Sequence, residues 1–90
     1  MNKIYFRLVY NRKKKLNKSG KALIQVEAYR NRKKVYISTG IYVNPKQWDN
    51  HHSRIIQHPH SEELNRMLAC IIHSLHKKEN ALLVYLQEKH

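Results

Sequence analysis

The sequence predicts an α+β fold, a three-stranded antiparallel sheet packed against one long C-terminal helix. Three observations carry this. Three runs of alternating apolar and polar residues lie in the first half of the chain. A two-residue turn signal, Asn31-Arg32, separates the second run from the third. The last third instead repeats its apolar residues at helical spacing.

The chain has 90 residues and a mean hydropathy of −0.77, enough for one small domain with room for one sheet layer and one helix. The expected division is residues 1–60 for the sheet with its following turn and loop, and 61–88 for the helix. No apolar run approaches the ~20 residues of a membrane span. Lys3, Arg7 and Arg12 interrupt the first apolar segment, which argues against a signal peptide. A single cysteine, Cys70, excludes an intrachain disulfide; it suits a reducing cytoplasm and is expected as a buried apolar thiol.

The first strand is expected at Lys3–Tyr10. Alternation puts Ile4, Phe6, Leu8 and Tyr10 on a core face, and Lys3, Tyr5, Arg7 and Val9 on a working face. The connection Asn11–Gly20 carries Arg12, Lys13, Lys14, Lys15 and Lys18. It is long for a hairpin and is expected to move, either as a solvated charge run or as a basic finger along a phosphate backbone. The second strand, Lys21–Arg30, sends Ile24, Val26 and Ala28 to the core and Leu23, Gln25, Glu27 and Tyr29 outward. Asn31 tolerates the positive φ that the tight turn needs. The third strand, Lys33–Thr39, adds Val35 and Ile37 to the core and Lys34, Tyr36 and Ser38 to the open face. Gly40 is expected to break it, and Ile41–Val43 to resume it briefly.

Asn44 then reads as an N-cap with Pro45 in the first helical position of a turn reaching Trp48. Trp48 is expected as a core anchor rather than a base-stacking side chain, and Asp49 as a local cap or ion-pair partner. Residues 50–60 read as a loop in which Arg54, Ile55 and Ile56 form a short extended piece. The helix is expected to open with Ser61 as N-cap and Glu62 and Glu63 in the first turn, where the dipole favours acids. Its stripe runs through Leu64, Leu68, Ile71, Leu75, Leu82 and Tyr85, widened by Met67, Ile72, Leu83 and Leu86, to about Gln87.

The charge points to function. Residues 1–40 hold twelve Lys/Arg and one acid, Glu27, whereas residues 41–90 hold six Lys/Arg and five acids, within a net charge of +12. A basic surface confined to the sheet half implies a polyanionic partner, DNA or RNA. A sheet face of Lys3, Tyr5, Arg7, Gln25, Tyr29, Lys34, Tyr36 and Ser38 suits the B-DNA major groove, where Arg and Lys reach guanine and Gln reaches adenine. Arg12, Lys13, Lys14, Lys15, Arg32 and Lys33 supply further cations at its margins. Catalytic arrangements are missing: no Gly-rich phosphate loop, no nucleophile with a base, too few acids for a two-carboxylate site. The histidines at 51, 52, 58, 60, 73 and 76 lack the spacing and sulfur partners of a zinc site. No metal, cofactor or small-molecule substrate is expected, and the chain itself is not expected to be an enzyme. Two rival readings are an RNA-binding small basic protein and a protein-interaction module working through Met67, Ile72, Leu83 and Leu86.

One stretch is recognisable. The run Val35-Tyr36-Ile37-Ser38-Thr39-Gly40-Ile41-Tyr42-Val43, followed by Asn44-Pro45-Lys46-Gln47-Trp48-Asp49 and a helix opening near Ser61–Asn65, resembles the N-terminal arm-binding domain of tyrosine recombinases, the phage-type integrases of Bacteroides-like mobile elements. The resemblance covers about residues 3–75. It implies a sheet that enters the major groove at arm-type sites, with Arg7, Gln25, Tyr29, Lys34, Tyr36 and Ser38 as the reading residues. It also implies a longer parent recombinase in the bacterial cytoplasm, acting in DNA integration, recombination or transposition, whose core-binding and catalytic domains are partners of this one. Nothing here matches the catalytic residues of such enzymes. Relatives often carry a base where this chain has Glu27; the acid is expected to face cytosine, to pair with a nearby Lys or Arg, or to mark a weaker site.

Overall fold

The computed structural model describes residues 3–78. Strands β1 (Tyr5–Tyr10), β2 (Ala22–Arg30) and β3 (Lys33–Val43) form an antiparallel sheet in the order β1-β2-β3. A 3₁₀ turn (Pro45–Gln47) leads into a small ribbon of β4 (Trp48–Asp49) and β5 (Arg54–Ile55), and helix α1 follows at Ser61–Lys77. The fold is α+β, as the sequence predicts. The continuation of the helix to about Gln87, with Leu82, Leu83, Tyr85 and Leu86, lies outside the described residues.

Each turn has a local cause. Asn31 and Arg32 sit at φ 50° and 66°, the two positive values of a type I′ hairpin, whose twist matches that of the strands it joins. The connection between β1 and β2, expected to move as a solvated charge run or a basic finger, holds two turns. Asn11 accepts from Lys15 N–H with its side chain and from Lys14 N–H with its carbonyl; Asn17 accepts from the N–H groups of Ser19 and Lys21. The turn after β3 is a reciprocal capping box: the Asn44 side chain accepts from Gln47 N–H, and the Gln47 side chain accepts from Asn44 N–H.

Gly40 does not end β3. Leu23 pairs with Tyr42 and Gln25 with Ser38, so Ile24 alone faces Thr39, Gly40 and Ile41 in a bulge with two extra residues. Gly40 takes φ +74°, a conformation costly for other residues. The Thr39 hydroxyl repairs the ladder there, donating to the Ile24 carbonyl at 2.7 Å and accepting from Ile41 N–H at 3.1 Å. Because the insertion is an even number, alternation survives it. Ile41 and Val43 stay in the core and Tyr42 stays outside.

One face of the sheet is closed by α1 and the β4–β5 ribbon. Ile24, Ile41, Val43, Trp48, Ile55 and Leu68 are buried together, with Leu8, Tyr10 and Leu64 against them. Each fully buried aliphatic side chain contributes about 1.5–3 kcal/mol. Trp48 is the anchor the sequence predicts. It stacks on Tyr10 at 5.8 Å, and Tyr10 donates its hydroxyl to the Val43 carbonyl. Farther along, Ile4 and Ala28 pack with Phe6, Val35 and Ile37, and Phe6 meets the His76 ring edge-on at 4.6 Å. Asn65 locks helix to ribbon, accepting from Ile55 N–H and donating to Ile55 C=O.

Two expectations are corrected. Ser61 is the first helical residue and not the cap; His60 holds the cap position without a side-chain bond, while Glu62 and Glu63 occupy the first turn as expected. Cys70 is exposed, not buried, because it lies with Met67 on the side of α1 turned away from Leu68.

Candidate nucleic-acid interface

The open face of the sheet is a grid set by strand register. Tyr5, Tyr29 and Lys34 form one cross-strand row; Arg7, Glu27 and Tyr36 form the next; Val9, Gln25 and Ser38 form the third; Leu23 and Tyr42 follow past the bulge. Tyr5, Arg7, Lys34, Ser38 and Tyr42 of these rows are exposed. Three strands about 4.8 Å apart make a ribbon narrower than the ~12 Å major groove.

Glu27 is the hub of the middle row. It is 5% exposed, although alternation places it on the open face. Arg7 Nε donates to Glu27 Oε1 at 2.8 Å and Arg7 Nη2 to Oε2 at 3.3 Å. The Tyr36 hydroxyl donates to the same Oε2 at 3.1 Å, and Lys34 Nζ stands 3.9 Å from it. The hydrogen bond from Arg7 holds the Glu27 carboxyl below its ordinary value, against burial, which acts the other way; Tyr36 and Lys34 add to the lowering. Of the three roles expected for this acid, pairing with a neighbouring base is the one observed, and its burial removes it from contact with a phosphate.

Cations surround the hub. Arg12 folds back from its loop over the Tyr36 ring, 4.0 Å from the centroid. Lys34 lies 5.9 Å from the Tyr29 centroid and Lys3 lies 5.8 Å from that of Tyr5. Tyr5, Phe6, Arg7, Glu27, Tyr29 and Lys34 line a shallow hollow of about 360 Å³ at the turn end of the sheet. A second hollow, about 390 Å³, opens at the loop end between Arg12, Lys13, Lys15, Leu16, Asn17, Lys21, Leu23, Gln25 and Tyr42.

Most expected site residues are thus brought together on one face. Lys13, Lys14 and Lys15 are exposed beside it, and Arg32 is exposed at the hairpin tip. Ser38 is exposed and accepts from Gly40 N–H, so it also shapes the bulge. Lys33 is the exception. It shares the parity of Val35 and Ile37 and so belongs to the helix side of the sheet, because a period of two separates it from Lys34. Sequence reasoning passed over Tyr42, Lys21 and Leu16. Tyr42, 49% exposed, was legible: it continues the series Lys34, Tyr36, Ser38 once Gly40 is counted through.

Among the described residues, no group of three His, Cys, Asp or Glu converges on a metal position. The clustered histidines serve local turns, His52 Nδ1 bonding Asp49 Oδ2 at 2.8 Å and His58 Nδ1 accepting from His60 N–H. No described helix is long and apolar enough to cross a membrane.

Comparison with known proteins agrees with a nucleic-acid interface. No curated protein and no solved structure matches the chain. The family of the Arm DNA-binding domain does, over residues 9–86, which takes in the basic loop, β2, β3, the capped turn and α1. By that match, spanning well over half of its length, the chain belongs to the arm DNA-binding domain family.

Proposed function

We propose that this chain binds duplex DNA by laying the open face of β1–β2–β3 in the major groove at arm-type sites, as the N-terminal domain of a site-specific tyrosine recombinase of a bacterial mobile element, in the cytoplasm. The observation that carries the reading is the grid itself. Its three rows present Arg7, Lys34, Gln25, Ser38 and three tyrosines on one uncovered face, with the loop cations beside them. Phosphate contacts fall to Arg12–Lys15 and Arg32, and base contacts to the middle of the sheet. In this role the domain tethers and leaves strand cleavage to other domains of the parent chain.

Titration of the labelled domain with a random duplex, at low and then moderate salt, tests this. Expected are shifts on Arg7, Gln25, Tyr29, Lys34 and Tyr36, and loss of affinity in Arg7→Ala and Lys34→Ala. Each phosphate contact removed lowers the slope of log affinity against log salt by about one. Shifts confined to residues 12–18, or a preference for RNA over duplex DNA, would reject the reading.

A further inference from the structure

Glu27 fixes how Arg7 can be used. A guanidinium has two forks of paired N–H groups, one from Nε and Nη2, the other from Nη1 and Nη2. The carboxylate occupies the first fork, at 2.8 and 3.3 Å. The carboxylate itself is held by a third donor, the Tyr36 hydroxyl at 3.1 Å, and lies in the central strand with only 7% of its side chain exposed. Arg7, by contrast, keeps 68% of its side chain exposed. The arginine is therefore clamped along one edge, and its other edge belongs to a side chain that stays largely in solvent.

The open fork matches two acceptors side by side. Guanine offers O6 and N7 in the major groove; a phosphate offers two oxygens. Two features favour the base. Arg7 stands in the middle row, whereas the exposed cations Lys13, Lys14, Lys15 and Arg32 belong to the loop and the hairpin tip at the ends of the sheet. The Arg7–Glu27 pair is also neutral overall, so it gains less from a polyanion than a lone cation does. What remains is directional hydrogen bonding, which discriminates among bases.

We infer that Glu27 is a positioning residue that presents Arg7 as a reader of one guanine in the bound duplex. The inference rests on the duplex-binding reading above. It also explains why an acid stands on a basic face: recessed beneath Arg7, it neither meets a phosphate nor accepts from cytosine itself.

Selection of bound duplexes from a randomised pool tests it, with the wild-type domain, Glu27→Gln, Arg7→Lys and Tyr36→Phe compared at one salt concentration. The wild type is expected to enrich guanine at one position. Glu27→Gln keeps the shape of the side chain but loses the ionic clamp; guanine enrichment there falls about tenfold, the worth of a good bidentate base contact. Its affinity for unselected duplex holds or rises, since removing one acid adds to the net +12. Arg7→Lys, which keeps charge but not the planar fork, weakens enrichment of the same guanine, and Tyr36→Phe weakens preference at that position alone. Guanine enrichment retained in Glu27→Gln, or a loss spread evenly over all positions with a lowered unfolding midpoint, overturns the inference and assigns Glu27 to stability. If Glu27→Gln does not fold, unchanged selection by Arg7→Lys or Tyr36→Phe overturns it equally. A wild-type domain that binds no duplex fails the functional reading itself, an outcome distinct from these.

Discussion

The two faces of the β1–β2–β3 sheet are built from alternate residues of the same strands and are held together by different physics. On the helix side, Ile24, Val43, Ile55 and Leu68 are at most 2% exposed, and Trp48 closes them against Tyr10. Order there comes from removing apolar surface from water, which is non-directional and needs no charge. On the open side, Arg7, Lys34 and Tyr36 converge on one carboxylate, and Arg12 rests on the Tyr36 ring. Order there comes from directional bonds between groups that are half in water. The first kind of order maintains the fold. The second holds side chains ready for a partner while leaving them able to reach it. The same strand can supply both because register and parity keep the two sets apart.

The comparison breaks most visibly on the helix side. Trp48→Ala and Leu68→Ala each remove a buried side chain that ribbon, helix and sheet share, and large-to-small changes of this kind cost about 2–5 kcal/mol. A domain of this size is stable by about 5–15 kcal/mol, so either variant is expected to show a large drop in urea midpoint. If either unfolds at the wild-type midpoint, Trp48 and Leu68 are not the anchor that joins ribbon, helix and sheet.

Acid sharpens the contrast at smaller scale. Glu27 is held below its ordinary value near 4.5, chiefly by Arg7. A depressed carboxyl contributes stability that is present above the unfolded value and lost as pH falls through the folded one. The wild-type unfolding midpoint should therefore decline below about pH 4.5 more steeply than that of Glu27→Gln. Asp49, lowered by its hydrogen bond from His52, titrates from an ordinary value of 3.8 and affects both proteins alike. Equal declines would show that the hub contributes nothing to folding.

The apolar face was the more legible of the two. Its members follow from a period of two in the strands and near 3.6 in the helix, and Trp48 sits where the Asn44-Pro45 cap places it. The hub was legible in half. The two-residue turn at Asn31-Arg32 dictates that Arg30 meets Lys33, so Glu27 must meet Tyr36 and Tyr29 must meet Lys34. The pairing of Arg7 with Glu27 depends on the eleven residues between β1 and β2, whose two Asn-centred turns set the register. A polar loop of that length admits several registers, and nothing local chooses among them. The burial of Glu27 was hidden for the same reason, since it is produced by side chains from the flanking strands. Lys33 falls on the helix side of the sheet within a run of cations in which only parity separates it from Lys34. Cys70 was misjudged from residue type, where its angular position on α1 decides.

Arg32 carries the finest version of the comparison, because fold and binding ask opposite things of it. Its φ of 66° suits glycine, and a side chain there costs about 1 kcal/mol through the clash of Cβ with the following carbonyl. Asn-Gly is the preferred pair for such a turn. Arg32→Gly is therefore expected to raise stability by roughly 0.5–1 kcal/mol, or a few degrees in melting temperature. The exposed guanidinium at the hairpin tip is lost in the same change. If it touches a phosphate, the log–log salt slope of duplex binding falls by about one while base preference stays as it was. Both effects together would show a strained turn residue kept for its charge. A stability gain with an unchanged slope would place Arg32 outside the interface and confine contact to the grid and the loop beside it.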